Sequence, residues 1–111
     1  FGERVPTANG RGRFVPAQYR PAAELPDADY PFVLITGRVL EHWHTGAMTR
    51  RSKVLDALEP EAHIDVHPDD LAALGCADGA FLTLETRRGK VSARARADAG
   101  LARGTLFMPL L

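Results

Sequence analysis

The stretch that decides the fold and the site of this chain is Thr36-Gly37-Arg38-Val39-Leu40-Glu41-His42-Trp43-His44-Thr45-Gly46. It begins where a run of β-preferring residues, Phe32 to Thr36, predicts a buried strand that stops at Gly37. From Gly37 to Thr49 the sequence has neither helical nor strand periodicity, so we predict a long loop. Because long loops in compact domains are usually functional, we expect the functional site in this one.

The residues of this loop suit an anionic ligand that also carries a flat aromatic group. Gly37 and Gly46 let the backbone approach a ligand closely, so that amide N–H groups can point at phosphate oxygens. The guanidinium of Arg38 matches a phosphate or the edge of a heterocycle with parallel donors. Trp43 supplies a stacking face, although a tryptophan is more often a core or interface residue.

The two histidines of the loop, His42 and His44, have three interpretations. Their ring N–H groups could bind the ligand, or both rings could be structural and bond to the backbone. They could also be two ligands of a metal, because alternate residues of an extended segment project to the same side. No Cys or further His lies nearby in the sequence, so we expect no metal site.

Outward from the loop, the chain predicts short strands and two short helices. Pro68 suits a first helical position, Asp69 and Asp70 favour the positive end of the helix dipole, and Gly75 suits a left-handed C-terminal cap. Five or six short strands with two helices indicate a mainly β barrel. We predict a helix over residues 52–58 with Val54, Leu55 and Leu58 on one face, a helix over 68–74, strands over 62–66 and 105–108, and a hairpin of strands 80–87 and 90–97.

Residues 1–29 differ in composition from the rest. Residues 1–31 contain five of the eight prolines, which remove backbone donors and fix φ. We therefore predict an extended Pro/Gly-rich lead-in with one short strand at residues 13–15; it either wraps another part of a larger protein or is a disordered tail. Because the chain starts with Phe1 and ends on Leu111 after an apolar run, we expect it to be a piece of a longer protein.

The overall composition is that of one globular domain of 111 residues, and no apolar run approaches the ~20 residues of a membrane span. The 14 Lys and Arg balance 14 Asp and Glu, which argues against binding nucleic acid or membranes through bulk charge. The neutral total conceals a net charge of +3 over residues 36–53, −6 over 54–70 and +5 over 86–96. The single cysteine, Cys76, excludes a disulfide framework, and we expect it to be a packing residue.

Residues 30–111 resemble the molybdopterin-dinucleotide-binding domain at the C-terminus of the molybdopterin oxidoreductases. They are most similar to that domain of formate dehydrogenase alpha subunits and the related bacterial nitrate reductases. The block from Thr36 to Arg51 is the most specific part of the resemblance. The other matching segments are His67-Pro68-Asp69-Asp70, Leu74-Gly75, Asp78-Gly79, Arg87-Arg88-Gly89 and Phe107-Met108-Pro109, together with Gly10 to Phe14 in the lead-in.

The resemblance implies a mainly β fold with short helices, the double-psi β-barrel of aspartate-decarboxylase-like proteins. It also implies that the domain forms one wall of the site for a bis(molybdopterin guanine dinucleotide) cofactor with Mo or W. It assigns no catalytic residue and no metal ligand to this chain, because those groups and the iron–sulfur clusters of the family lie in other domains. The cofactor-binding residues that it implies are Thr36, Gly37, Arg38, Val39, Leu40, Glu41, His42, Trp43, His44 and Thr45.

The same resemblance implies a fragment of a larger oxidoreductase that is not catalytic alone. Its partners would be the remaining domains of the parent enzyme and its electron-transfer subunits. We expect the isolated domain to be monomeric and to contact neither membrane nor nucleic acid, and the parent to be cytoplasmic, with the periplasm as the alternative. The family continues past the Phe107 strand with segments that also contact the cofactor, so we expect residues 30–111 to be a C-terminally truncated domain.

One alternative of a different class remains open. A double-psi barrel can be a non-catalytic binding module, and the basic hairpin at residues 87–96 could bind an acidic partner. The simpler explanation of this hairpin is a solvated face, or a face that packs on the rest of the parent enzyme.

Overall fold

The computed structural model describes residues 2–111, and over these residues the chain forms five strands and two short α-helices. The strands are β1 (Val33–Gly37), β2 (His63–Val66), β3 (Phe81–Thr86), β4 (Gly89–Ala97) and β5 (Thr105–Pro109). The helices are α1 (Lys53–Leu58), which follows a 3-10 turn over Thr49–Arg51, and α2 (Pro68–Ala73). The predicted mainly β architecture with short helices is confirmed.

The strands form one open sheet in the order β1-β5-β2-β4-β3. β1 lies parallel to β5 and β2 lies parallel to β4, whereas β2 with β5 and β3 with β4 are antiparallel. The first strand therefore pairs with the last, from Val33 opposite Thr105 to Gly37 opposite Pro109. Closure of the sheet into a double-psi barrel stays a prediction, because β1 and β3 are the free edges of this open sheet.

The core is small and centres on β2. Its buried apolar side chains are Ile64, Val66, Leu71, Ala93, Ala95 and Leu106. β2 lies between β5 and β4, so all four of its residues are buried, including the polar His63 and Asp65. Polar and apolar residues alternate over residues 63–66 of the sequence, and this pattern belongs to a central strand whose polar side is also covered by protein.

The helix predicted to start at Pro68 is confirmed, and its end signal is confirmed as well. Pro68 occupies the first turn of α2, and Gly75 has the left-handed φ of +68°. In α1, by contrast, the apolar face is not buried, since Val54 and Leu58 are exposed. The short strand predicted at residues 13–15 is wrong, because that segment pairs with no other strand.

Asp70 ties α2 to the start of β5. Its carboxylate accepts hydrogen bonds from the Gly104 N–H at 2.7 Å and from Arg103 Nε at 2.9 Å. The Gly104 N–H and then the Arg103 guanidinium favour the ionised form, so the pKa of Asp70 lies below its usual value.

The second half of the lead-in lies against the turn of the β3–β4 hairpin. Arg87 pairs with Glu24 and Asp27, and Arg88 pairs with Glu24. The Arg87 guanidinium also lies 4.5 Å from the ring centroid of Tyr30. The radius of gyration is 19.3 Å, against about 13 Å for a compact domain of this length, because residues 2–31 extend without helix or strand. No helix within residues 2–111 has the length and hydropathy needed to cross a bilayer.

Candidate functional site

The predicted loop leaves the sheet at Gly37, and we call residues 38–48 the β1 loop. A Cβ atom on Gly37 would lie 2.6 Å from Cε2 of Phe107, closer than real side-chain contacts allow. The Gly37 carbonyl also accepts a hydrogen bond from the Leu110 N–H at 2.9 Å. The start of the loop is therefore fixed against β5 by a position that only glycine fits without rearrangement.

His42 fastens the middle of the β1 loop to the segment after α1. Its side chain is 2% exposed, and its Nε2 lies 2.7 Å from the carbonyl oxygen of Glu59. A carbonyl can only accept, so Nε2 carries the proton, and Nδ1 accepts from Thr49 Oγ1 at 3.0 Å. Thr49 Oγ1 in turn accepts from the Trp43 N–H at 3.2 Å. Both ring nitrogens are thus satisfied within the chain.

A tight turn then presents two rings to solvent. The Gly46 N–H donates to the Trp43 carbonyl at 3.0 Å, with Gly46 at φ +74° and His44 at φ +53°. The rings of Trp43 and His44 meet edge to face with centroids 4.9 Å apart, and the Arg38 guanidinium lies 5.3 Å from the Trp43 ring. These contacts bring Arg38, Trp43 and His44 together as one exposed group, which we call the cationic–aromatic cluster.

Arg50 and Arg38 differ in whether their guanidinium groups already have partners within the chain. Arg50 is bound by Asp56 at 3.1 Å and by the Pro60 carbonyl at 2.9 Å. Arg38 has no acidic partner within residues 2–111 and is exposed, so its donors are available to an anion.

The ten predicted site residues fall into three groups by burial. Those exposed to solvent are Thr36, Arg38, Leu40, Trp43, His44 and Thr45; Gly37, Val39 and Glu41 are half-buried, and His42 is buried. The buried position of His42 supports the structural interpretation of that residue. Sequence reasoning missed Thr49 and Glu59, which anchor the loop; Glu59 does so through its carbonyl, a role that no side-chain pattern reveals.

The two histidines do not act as a pair. His42 faces the interior and His44 faces solvent. The two residues are two positions apart, but the segment is not extended there, so their side chains do not project to the same side. Over the part of the chain that the structure describes, no three His, Cys, Asp or Glu side chains are placed to hold a metal ion.

The basic hairpin does not present a free positive patch. Besides Arg87 and Arg88, Lys90 pairs with Glu85 at 3.0 Å and Arg94 approaches Glu61 at 3.8 Å. The fifth cation, Arg96, forms a bidentate ion pair with Asp65, with hydrogen bonds of 2.7 and 3.0 Å. Each cation of the hairpin thus faces an acidic side chain of the same chain, which weakens the binding-module alternative.

Two clefts of the described chain lie away from the loop. The larger, about 1010 Å³, lies between the lead-in and the apolar side chains Leu34, Ile64, Leu82, Leu84 and Leu106. Residues 38–48 line neither this cleft nor the smaller one of about 400 Å³ beside His63. The candidate site is therefore an exposed wall and not an enclosed pocket.

The fold is that of a domain found in a larger enzyme of known structure. Acetylene hydratase from Pelobacter acetylenicus matches with a TM-score of 0.66 and 24% sequence identity, over 73% of this chain and 11% of that one. At this identity the match shows the fold alone.

The sequence itself shows the family. The family described as "Molydopterin dinucleotide binding domain" matches residues 32–110, and the chain belongs to this family. The chain is also 47% identical over 103 residues to the F420-dependent formate dehydrogenase subunit alpha of Methanocaldococcus jannaschii. That match covers 93% of this chain but 15% of the relative, so the chain spans a small part of the length of this relative.

The exposed groups fit the kind of ligand that the family name describes. A molybdopterin dinucleotide combines flat heterocycles with a pyrophosphate. The cationic–aromatic cluster offers an unpaired guanidinium beside an indole and an imidazole edge, and such groups bind phosphates and flat rings. The donor set of the loop is thus compatible with this cofactor.

Proposed function

We propose that this chain is the cofactor-binding domain of a molybdenum or tungsten oxidoreductase that uses bis(molybdopterin guanine dinucleotide), namely the alpha subunit of a formate dehydrogenase. The family membership and the 47% identity to a formate dehydrogenase alpha subunit support this proposal. The observation that carries it to particular residues is the exposed cluster of Arg38, Trp43 and His44 on a loop that is fixed at its start by Gly37 and in its middle by His42.

Each residue of the predicted site would make a different contribution to binding. Arg38 would hold a phosphate or a heterocycle edge, and Trp43 with His44 would cover a ring of the cofactor. Thr36, Gly37, Val39 and Leu40 would contribute backbone and side-chain contacts along the same wall, with Glu41 and Thr45 at its margin. His42 keeps the wall in shape from behind. When bound, the metal of the cofactor supplies two-electron oxidation or reduction of a small substrate.

The decisive experiment is an Arg38→Ala variant of the full-length enzyme. We expect it to contain less cofactor and to lose activity, because the guanidinium is the unpaired cation of the wall. Arg20→Ala is the matched control, since Arg20 is an exposed arginine of the lead-in outside the proposed wall. Normal cofactor content together with normal activity in Arg38→Ala would refute the assignment.

A titration of this chain with a guanine nucleotide tests the placement of the wall directly. We expect NMR shifts in residues 36–46. Shifts confined to residues 87–96 would instead favour the basic hairpin and the binding-module alternative.

The proposal extends to features of the whole enzyme. It places iron–sulfur clusters and the catalytic groups in other domains, makes those domains and electron-transfer subunits its partners, and locates the enzyme in the cytoplasm. Elemental analysis of the holoenzyme separates Mo from W, and cell fractionation tests the location. Turnover of nitrate without turnover of formate would favour a nitrate reductase.

A further inference from the structure

A line of contacts leads from the β1 loop into the centre of the sheet. The Glu59 carbonyl holds His42, and Glu59 Oε1 lies 2.7 Å from Nδ1 of His63 on β2. On its other side, Nε2 of His63 lies 3.3 Å from Oδ1 of Asp65. Asp65 is bound by Arg96 of β4, which also approaches Glu59 Oε2 at 3.8 Å.

The His63 ring is buried and has one nitrogen without a hydrogen-bond partner. Its side chain is 8% exposed, and those of Glu59 and Asp65 are 16% and 6% exposed. Nε2 of His63 makes no hydrogen bond within the described chain, and the carboxylate of Asp65 is its close polar neighbour. The contact of Nε2 with Asp65 is thus one of proximity and not a hydrogen bond. A doubly protonated ring places its positive charge within 3.3 Å of both carboxylates, whereas a neutral ring supplies no charge to offset theirs.

The charges around His63 favour the same state. The groups that face it are Glu59 and Glu61 from the segment after α1, Asp65 from β2, and Arg94 and Arg96 from β4. Arg94 and Glu61 pair with each other at 3.8 Å. The carboxylates of the partly buried Glu59 and the buried Asp65 are then left with one guanidinium, that of Arg96. A protonated His63 brings this group to neutrality, and buried carboxylates are stabilised only when their charge is compensated.

We propose that protonated His63 is a positioning residue for the β1 loop, which it holds in shape by fixing Glu59, the residue that anchors His42. Loss of the proton leaves Glu59 and Asp65 with one net negative charge and frees Glu59 to move, so the acceptor of the His42 hydrogen bond becomes less fixed. The loop should therefore be held more firmly at lower pH. The consequence for ligand binding rests on the function proposed above, whereas the link between His63 and the loop does not.

The first test follows the loop without any ligand. NMR titration of the full chain between about pH 5 and pH 8 is made in a His44→Gln background, because the His44 ring touches Trp43 and is itself an ionisable group. We expect the Trp43 amide and the His42 ring signals to shift with the same midpoint as the His63 ring. His63→Gln should abolish that shift, and His67→Gln, which lies outside the contact line, should retain it. Loop signals that ignore the His63 midpoint, or a shift that persists in His63→Gln, overturn the inference.

The second test adds guanosine 5′-monophosphate as the probe. This test is made with His44 unchanged, because His44 belongs to the proposed binding cluster, and we expect the Kd to be roughly fivefold higher above the His63 midpoint than below it, the size expected for weakening one hydrogen bond. His63→Gln serves as the reference, since it removes the contribution of His63 while the ionisable groups of His44 and of the phosphate remain. A pH dependence equal in both proteins overturns the inference and leaves the proposed function intact. Failure of the nucleotide to bind at any pH, with loop signals that still follow His63, supports the inference and refutes the proposed function.

Discussion

Gly37 offers the sharpest test of how the β1 loop is fixed to the sheet. In Gly37→Ala the new Cβ would lie 2.6 Å from Cε2 and 3.1 Å from Cζ of Phe107. The ring must retreat by about 0.8 Å to restore the 3.4 Å of ordinary contact. Such a displacement needs an off-rotamer side chain or a backbone shift, which costs about 1–3 kcal/mol.

Gly89→Ala is the matched control for this substitution. Gly89 is also a strand residue with no positive φ, and a Cβ there meets nothing within 4 Å. Both changes reduce the entropy of the unfolded chain alike, a stabilisation of about 0.4–1 kcal/mol. The difference between the two variants in free energy of unfolding therefore isolates the overpacking at Phe107, about 1–3 kcal/mol.

Urea denaturation of the two variants measures this difference. We expect Gly37→Ala to unfold at lower urea than Gly89→Ala, and Phe107→Leu to recover part of the loss when combined with Gly37→Ala. Equal stability of the two single variants would show that the ring yields without cost. In that event the close approach of Gly37 to β5 does not fix the start of the loop.

The ion pairs of the fold give three further predictions. The pKa of Asp70 is lowered in the folded state, so the ionised carboxylate stabilises the fold above its unfolded-state pKa, and this stabilisation is lost as the pH falls through the folded-state pKa. In Asp70→Asn the Tm should therefore fall less steeply below about pH 4 than in the unmodified chain. An equally steep fall in both proteins would contradict this. Arg96→Gln should lower the free energy of unfolding in urea by about 2–3 kcal/mol, because it removes the guanidinium that pairs with the buried Asp65 carboxylate. Arg94→Gln should lower it by less than about 1 kcal/mol, because the pair of Arg94 with Glu61 is exposed. Equal losses in the two variants would refute this order. Arg87→Gln should release the lead-in from the hairpin, because Arg87 pairs with Glu24 and Asp27, and proteolysis between residues 13 and 29 should become faster. Salt at 1 M should likewise speed this proteolysis in the unmodified chain, because it screens the same ion pairs. Unchanged cleavage would show that other contacts hold the lead-in against the hairpin.

Much of the local structure could be predicted because its causes lie within a few residues. Pro68 and Gly75 set the two ends of α2 through their own backbone preferences. The β3–β4 hairpin is confirmed, but its two-residue turn is Arg87-Arg88 and not the predicted pair at residues 88–89, since Thr86 pairs with Gly89. The position of the β1 loop follows in the same way, from a strand that ends at Gly37 and a following segment without periodicity. The predicted burial of that strand is wrong, because β1 is an edge strand with Val33 and Ile35 exposed. The lead-in strand at residues 13–15 was wrong because a short segment forms a strand only where another strand lies beside it, and this segment has no such neighbour.

The charge pattern was visible in the sequence, but its meaning was not. Counts along the chain separate a basic hairpin from an acidic stretch, and this suggested a free basic face. In three dimensions β2 lies beside β4, so Asp65 meets Arg96, and the lead-in brings Glu24 to Arg87. Opposite charges that lie far apart along the chain neutralise each other once the chain folds, and the pairing of strands together with the path of the lead-in decides which ones meet.

The sequence by itself therefore determined the family, the mainly β class, the short helices and the place of the candidate wall. Tertiary structure decided which residues of that wall face outward. His42 differs from His44 only because a carbonyl 17 residues further along the chain, that of Glu59, binds its ring. A main-chain acceptor carries no side-chain signature, and its position depends on how α1 returns to β2, so the distinction between anchor and ligand-facing residue exists only in the folded chain.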